Sequence, residues 1–196
     1  MKLLFVGDVV AGIGRRTLAA LLPGLRERHA PDFVVVNGEN AAGGVGITAR
    51  TARDLLDTGA DAITLGNHAY RHSEVYPYLD SEPRIIRPAN YPKGAPGRGI
   101  TTLERGGMTL GVVNLSGTLF VEAARSPFAE ADAALAELRG RVTHVLVATR
   151  DLVLVAALGI GAAMLRGGPR SRWAPARGPA RWPSRGRGRP PRPAPR

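Results

Sequence analysis

The chain contains no cysteine among its 196 residues. This absence excludes disulfide bonds, zinc–thiolate sites, iron–sulfur clusters and cysteine nucleophiles, so any bound metal must use oxygen or imidazole ligands. The N-terminus also lacks the pattern of a signal peptide, because its short apolar run ends at Gly7-Asp8 with no small-residue cleavage site behind it. A cytoplasmic location is therefore expected.

Acidic residues are nearly absent from the last quarter of the chain. Residues 150–196 contain 11 arginines and one acid, Asp151, whereas residues 1–149 contain 16 basic and 15 acidic residues. Eight of the 16 prolines follow Met164. These two compositions predict a folded domain over residues 1–147. They also predict that residues 148–196 form an apolar segment followed by a disordered Arg/Pro/Gly-rich tail.

Strand-like and helix-like segments alternate along the first part, which is typical of an α/β layered domain. Strands are predicted at 3–6, 33–36, 61–65, 84–86 and 142–147, with a hairpin over 101–115 that turns at Gly106-Gly107. Helices are predicted at 15–28, 49–57, 73–80 and from Ser126-Pro127 to Leu138.

Two of the helices carry detailed predictions. In the first, Leu18, Leu21, Leu22 and Leu25 should form the buried face, and Pro23-Gly24 should kink the helix or end it early. In the second, Thr48 should cap the N-terminus and Gly59 should suit the C-terminal end.

Polar residues follow three of the predicted strands, where each strand ends. Asp8 follows the first, Glu39-Asn40 the second and Asn67-His68 the third. Ligands bind at the carboxyl ends of the strands in such sheets, so these side chains should meet in space. Taken singly, each could instead cap a loop, form a turn or be an ordinary loop histidine.

Together these residues form a set of hard oxygen ligands with one imidazole. Such a set suits two divalent metals ~3.5–4 Å apart, with manganese or iron fitting better than zinc. A histidine beside the ligands can donate a proton to a leaving alkoxide. The sequence thus favours a metal or phosphate site.

Five ordered motifs resemble the YmdB-like metallophosphoesterases of the calcineurin-like phosphoesterase superfamily. They are GDVVAGIGRR, VNGENAAGGVGIT, DAITLGNHAY, RPANYPKGAPGRG and VVNLSGTLF, and the match runs from residue 1 to about 147. The resemblance implies a four-layer α/β/β/α sandwich with a dinuclear metal centre that hydrolyses phosphodiesters, including 2′,3′-cyclic nucleotides. It implies that Asp8 and Asn40 bind the first metal, that Glu39 bridges the two, that Asn67 binds the second and that His68 donates the proton. Asn37 and Gly38 are interpreted as turn residues.

The sequence departs from this family after the last matched strand. Members carry two later segments that supply three histidine ligands, and neither segment is present here. The four histidines are His29, His68, His72 and His144, and neither His72 nor His144 is expected to serve as a replacement. The sandwich is therefore expected to be C-terminally incomplete, with weak or no activity.

The tail has three interpretations. It is an arginine-rich arm that binds RNA, a membrane anchor over 152–165, or the product of a frame shift near residue 148. The anchor is disfavoured because 14 residues fall short of the ~20 needed to span a bilayer, so no membrane partner is expected. We favour the frame shift, because out-of-frame GC-rich genes tend to encode Arg, Pro, Gly and Ala.

Two rival functions remain at this point. One is a non-catalytic nucleic-acid-binding protein that acts through the arginine-rich tail. The other is a nucleotide-binding module, for which GDVVAGIG is a weak signal because it lacks the G-x-G-x-x-G spacing. The oligomeric state is left open, a homo-oligomer included.

Overall fold

The computed structural model describes residues 1–118 and 124–149, which contain two β-sheets and four α-helices. The first sheet is parallel with the order β1-β2-β3-β4, and the second has the order β5-β6-β7, with β5 antiparallel and β7 parallel to β6. The strands are β1 Leu3–Val6, β2 Phe33–Asn37, β3 Ala62–Thr64, β4 Ile85–Ile86, β5 Ile100–Arg105, β6 Met108–Leu115 and β7 His144–Thr149. The helices are α1 Ala11–His29, α2 Ala49–Asp57, α3 Tyr76–Ser81 and α4 Pro127–Leu138, and a short 3₁₀-helix Ser73–Val75 precedes α3.

The continuous apolar run of β2 is explained by burial on both faces of the first sheet. Val34 and Val36 pack into the core beneath the helices, together with Leu22 of α1 and Leu55 of α2. Phe33 and Val35 pack in the opposite direction, against Leu110 and Val112 of the second sheet. The helix α4 covers the other face of that sheet, where Leu138 lies against Gly111. The predicted α/β/β/α layers are confirmed.

The ends of α2 and the hairpin turn follow the predicted local chemistry. Thr48 accepts a hydrogen bond from the Thr51 N–H, and the Thr51 hydroxyl accepts one from the Thr48 N–H, which forms a reciprocal cap. The chain turns between β5 and β6 at Gly106 and Gly107, both of which have positive φ. Two consecutive positive φ angles match the twist of the flanking strands.

Helix α1 departs from the prediction at both ends. It begins at Ala11 and continues through Pro23 to His29, so the expected early stop is wrong. Pro23 lies on the exposed side of the helix, where water can solvate the carbonyl that loses its N–H partner. Leu18 and Leu22 are buried as expected, but Leu21 is 57% exposed, because it lies at the margin of the apolar stripe.

Predictions about residues 150–196 lie outside the described residues, and these include the tail and the apolar segment at 152–165. Within residues 1–118 and 124–149, no helix has the length and apolar character needed to cross a membrane. The described residues all belong to one compact unit, Met1–Leu154.

Candidate metal centre

Three strand ends of the first sheet bring the predicted site residues to one edge. Strands β1, β2 and β3 are parallel, so their carboxyl ends lie side by side. The convergence expected from the sequence is found for Asp8, Glu39, Asn40 and His68, which are linked by hydrogen bonds. Asn67 lies beside His68 at the same edge, with its side chain exposed.

Asn40 lies at the centre of this cluster. Its Nδ2 donates to Asp8 Oδ1 at 2.7 Å, and its Oδ1 lies 2.7 Å from His68 Nδ1. A carboxylate can only accept, so the amide nitrogen must face Asp8 and the amide oxygen must face the imidazole. His68 Nδ1 therefore carries a hydrogen. This arrangement leaves Nε2 as the ring nitrogen that can exchange a proton with a bound substrate.

Glu39 is the most deeply buried acid of the site, with 1% of its surface exposed. Its Oε1 lies 3.5 Å from Asn40 Nδ2. Its carboxylate also rests against Gly66, where an added Cβ would overlap Oε2 and lie 2.5 Å from Cδ. A side chain at position 66 would therefore displace the Glu39 carboxylate, which lies on the surface that the end of β3 provides.

Asn37 and Gly38 set the direction of this turn, as expected. The Asn37 side chain accepts a hydrogen bond from the Glu39 N–H at 3.2 Å, and the Gly38 N–H donates to the Thr64 carbonyl at 3.0 Å. A Cβ on Gly38 would lie 2.8 Å from Ile63 and 2.9 Å from Leu55. The chain can pass this close to β3 and α2 only with glycine at that position.

Asp8 has a left-handed backbone with φ of 38°, which is uncommon outside glycine. Short polar residues such as aspartate tolerate this conformation best. Two hydrogen bonds hold the following residues, from Val9 N–H to the Asn37 carbonyl and from Ala11 N–H to the Asn40 carbonyl, both at 2.9 Å. This turn connects β1 to α1 and places the Asp8 carboxylate against Asn40.

The donor set fits a hard divalent cation, but it is sparse. Two carboxylates and two carboxamides supply oxygen, which suits manganese and magnesium-like ions. Within the part of the chain that the structure describes, no group of three or more His, Asp or Glu side chains is arranged to hold a metal ion. The residues present therefore make up only a candidate partial site, with Asp8 and Glu39 as its carboxylates and Asn40 and Asn67 as its carboxamides.

The other histidines lie apart from this partial site. His29 is in the last turn of α1, and His144 begins β7, at the end of its sheet opposite Leu115 and Thr149. His72 Nε2 lies 2.9 Å from the Val45 carbonyl, and its ring packs beside Gly46. His72 thus holds the loop after β2.

A second group of polar residues at this edge was not predicted from the sequence. Asn90, in the loop after β4, is fully buried. Its Nδ2 donates to the carbonyls of Ser116 and Arg125 at 2.8 and 2.9 Å, and its Oδ1 accepts from the Ser116 N–H at 2.9 Å. The signal that could have revealed Asn90 is its position after a fourth parallel strand.

Two tyrosines near this edge have raised pKa values. Burial raises the pKa of Tyr91, the Ser116 hydroxyl opposes that change, and the Glu39 carboxylate adds to it. Burial also raises the pKa of Tyr70, against the lowering influence of Arg87. The two rings lie 6.0 Å apart, and both remain neutral at physiological pH.

The fold agrees with the comparisons with known proteins. The model of the YmdB-like protein family matches residues 4–150. The chain belongs to the YmdB-like family. It is 41% identical over 147 residues to a protein of Bacillus subtilis (strain 168) named 2′,3′-cyclic-nucleotide 2′-phosphodiesterase, an alignment covering 75% of this chain and 56% of that one.

Solved structures support the same fold. A crystal structure of a protein from Thermus thermophilus matches with a TM-score of 0.72 and 41% identity, over 81% of this chain and 62% of that one. A phosphatase of Mycoplasma pneumoniae matches with the same TM-score at 22% identity, over 86% and 68% of the two chains, which supports the fold. The chain spans about half the length of the curated relatives that it matches.

Proposed function

We propose that the YmdB-like domain is a metal-dependent phosphodiester hydrolase, with 2′,3′-cyclic nucleotides among its substrates and with activity impaired in this chain. The observation that carries this proposal is the hydrogen-bonded Asp8–Asn40–His68 chain beside the buried Glu39 carboxylate. The Bacillus relative's name supports the substrate class. A cytoplasmic location is part of the same proposal.

The residue roles follow from chemistry and position. Asp8 and Asn40 would hold one divalent ion, Asn67 a second, and Glu39 would lie between them. Iron or manganese suits these oxygen donors. Metal ions bound there would activate water and polarise the phosphoryl oxygens.

His68 is proposed as the proton donor. The Asn40 oxygen fixes its ring through Nδ1, which directs Nε2 away from Asn40. A protonated imidazole held in this way can give the Nε2 proton to the leaving alkoxide. Asn40 would therefore both bind metal and orient the acid.

Impairment is expected because the ligand count is low. The chain has no histidine after His144, so the three later histidine ligands of the family have no counterpart in it. Fewer ligands weaken metal binding, and weak occupancy lowers the active fraction.

The test measures metal content by elemental analysis and hydrolysis of a 2′,3′-cyclic nucleotide with added Mn²⁺. We expect substoichiometric metal and slow turnover that disappears in Asn67→Ala and His68→Ala. His29→Ala is the matched control, because His29 is an exposed residue in the last turn of α1, and it should retain the residual rate. Turnover equal to that of ordinary phosphodiesterases, lost in Asn67→Ala, would contradict the impairment. Turnover unaffected by both site variants would contradict the proposed site.

A second candidate function rests on the 11 arginines and one acid of residues 150–196. Such an excess of positive charge would bind RNA through its phosphates, with strong salt dependence. Truncation after residue 149 should abolish RNA binding and leave the domain's metal content unchanged. RNA binding that persists in the truncated chain would exclude this role for the tail.

A further inference from the structure

Asn114, on β6 of the second sheet, contacts the first sheet at the edge that carries the site. It is 3% exposed, and its Nδ2 donates to two main-chain carbonyls. One belongs to Leu65 at the end of β3, and the other, at 3.1 Å, to Ile86 at the end of β4. A single side-chain nitrogen thus joins the second sheet to two adjacent strand ends of the first.

The Leu65 carbonyl directly precedes the segment that forms half of the candidate site. Gly66 follows and supports the Glu39 carboxylate, and Asn67 and His68 come next. The Leu65 N–H donates to the Ile86 carbonyl at 2.9 Å, so one hydrogen-bonded unit contains both strand ends and Asn114. A displacement of Leu65 would therefore move Gly66 and His68 relative to Glu39 and Asn40.

The main chain of Asn114 is held as firmly as its side chain. Its N–H donates to the Gly99 carbonyl at 3.1 Å, and its carbonyl accepts from the Ala89 N–H at 2.7 Å. A Cβ on Gly99 would overlap the Ala89 backbone, so these segments pack closely. The Asn114 backbone is therefore held in place, and its side chain can position the end of β3 through the Leu65 carbonyl.

An asparagine suits this position because its amide nitrogen offers two hydrogens that diverge in one plane. Aspartate has the same shape but faces both carbonyls with acceptor oxygens. Leucine has a similar branched shape and no donor. Both replacements remove the two hydrogen bonds. Comparing them distinguishes the effect of losing these bonds from the effect of changed packing.

We propose that Asn114 is a positioning residue for the metal centre, which holds the Gly66–His68 segment in register with Glu39 and Asn40. This role of Asn114 rests on the proposed function only where Mn²⁺ binding is the quantity measured. Two other readouts need no metal: hydrogen exchange of the Leu65 and Ala69 amides, and the nitrogen NMR signal of His68 Nδ1. Both amides are hydrogen-bonded on either side of Gly66, to the carbonyls of Ile86 and Gly66.

The experiment compares the full chain with Asn114→Leu and Asn114→Asp. Both variants should exchange the Leu65 and Ala69 amides about tenfold faster or more, because the segment opens locally. Both should also shift the His68 Nδ1 signal and weaken Mn²⁺ binding by about tenfold or more. Leu110→Ala is the matched control, since Leu110 is a fully buried residue of the same strand outside this contact. It should lower the melting temperature and leave all three readouts unchanged.

The outcomes distinguish this inference from the proposed function. Variants of Asn114 that match Leu110→Ala in exchange and in the His68 signal would overturn the positioning role. A wild-type chain that binds no Mn²⁺ would count against the proposed function, and the two metal-free readouts would still decide the role of Asn114. If Asn114→Leu does not fold, Asn114→Ser, which keeps one donor, provides the same comparison.

Discussion

The Glu39 carboxylate occupies the space in which a side chain at Gly66 would begin. Two neighbouring strand ends of a parallel sheet therefore share one position, with the acid following β2 and the glycine following β3. This relationship fixes where the buried carboxylate of the candidate centre lies, and it gives the first prediction.

Gly66→Ala should displace Glu39. The added methyl group overlaps the carboxylate, so the Glu39 side chain must rotate away or a strand end must shift. We expect either change to lower the free energy of unfolding by about 1–3 kcal/mol. Urea denaturation measures this loss. Gly94→Ala is the control, because nothing lies within 4 Å of the position that its methyl group would take, and its effect should stay within about 0.5 kcal/mol. Equal stabilities of the two variants would show that Glu39 does not rest on Gly66.

Asn40→Leu should separate Asp8 from His68. It removes the donor to Asp8 and the acceptor for His68 Nδ1 while keeping the branched shape of the side chain. We expect the nitrogen NMR spectrum of His68 to lose the signature of a fixed Nδ1–H tautomer. The free energy of unfolding should fall by only about 1 kcal/mol, because water can solvate the exposed Asp8. The His72 signal is an internal reference and should not move, since its partner is the Val45 carbonyl.

Asp61→Asn should destabilise the domain without altering the candidate site. Asp61 lies just before β3, at the edge opposite the site, and pairs with Arg26 at 3.3 Å and Arg105 at 2.7 Å. It also accepts the Val34 N–H at 2.7 Å. Loss of the charge should cost about 1–3 kcal/mol in the free energy of unfolding.

The control for Asp61→Asn is Asp54→Asn. Asp54 forms one pair, with Arg15 at 3.5 Å, and its side chain is 48% exposed. Exposed pairs contribute about 0–1 kcal/mol, so this variant should be almost as stable as the wild type. The His68 NMR signal should stay the same in both variants, and a change in Asp61→Asn would reveal coupling between the two edges of the sheet.

Tyr70 and Tyr91 should ionise late in an alkaline titration. The pKa values of Tyr70 and Tyr91 are raised above 10.0 chiefly by burial. The folded state therefore holds these protons to higher pH than the unfolded state. The associated stabilisation is complete below the ordinary pKa and is lost as the pH rises through the raised values. Ultraviolet absorbance of phenolate follows the titration, and Tyr70→Phe and Tyr91→Phe should each remove one group from the late phase. A late phase that is unchanged in both Tyr70→Phe and Tyr91→Phe would contradict the prediction.

Local patterns in the sequence determined most of the secondary structure. The reciprocal cap at Thr48, the two glycines of the hairpin turn and the Ser126-Pro127 helix start depend on neighbours within a few residues, so the sequence alone predicts them. The course of α1 through Pro23 depended on which side of the helix faces solvent, and packing against the sheet decided it.

The proximity of the candidate site residues could be predicted because parallel strands align their carboxyl ends, a rule that needs only the strand order. The sequence by itself therefore indicated Asp8, Glu39, Asn40, Asn67 and His68. Only the tertiary structure showed that Gly66 supports Glu39 and that Asn114 joins two strand ends across the sheets. Glu39 and Gly66 are 27 positions apart along the chain, and Leu65 and Asn114, which lie in different sheets, are 49 positions apart. No local sequence pattern encodes these contacts, because they form only when the strands and sheets pack together.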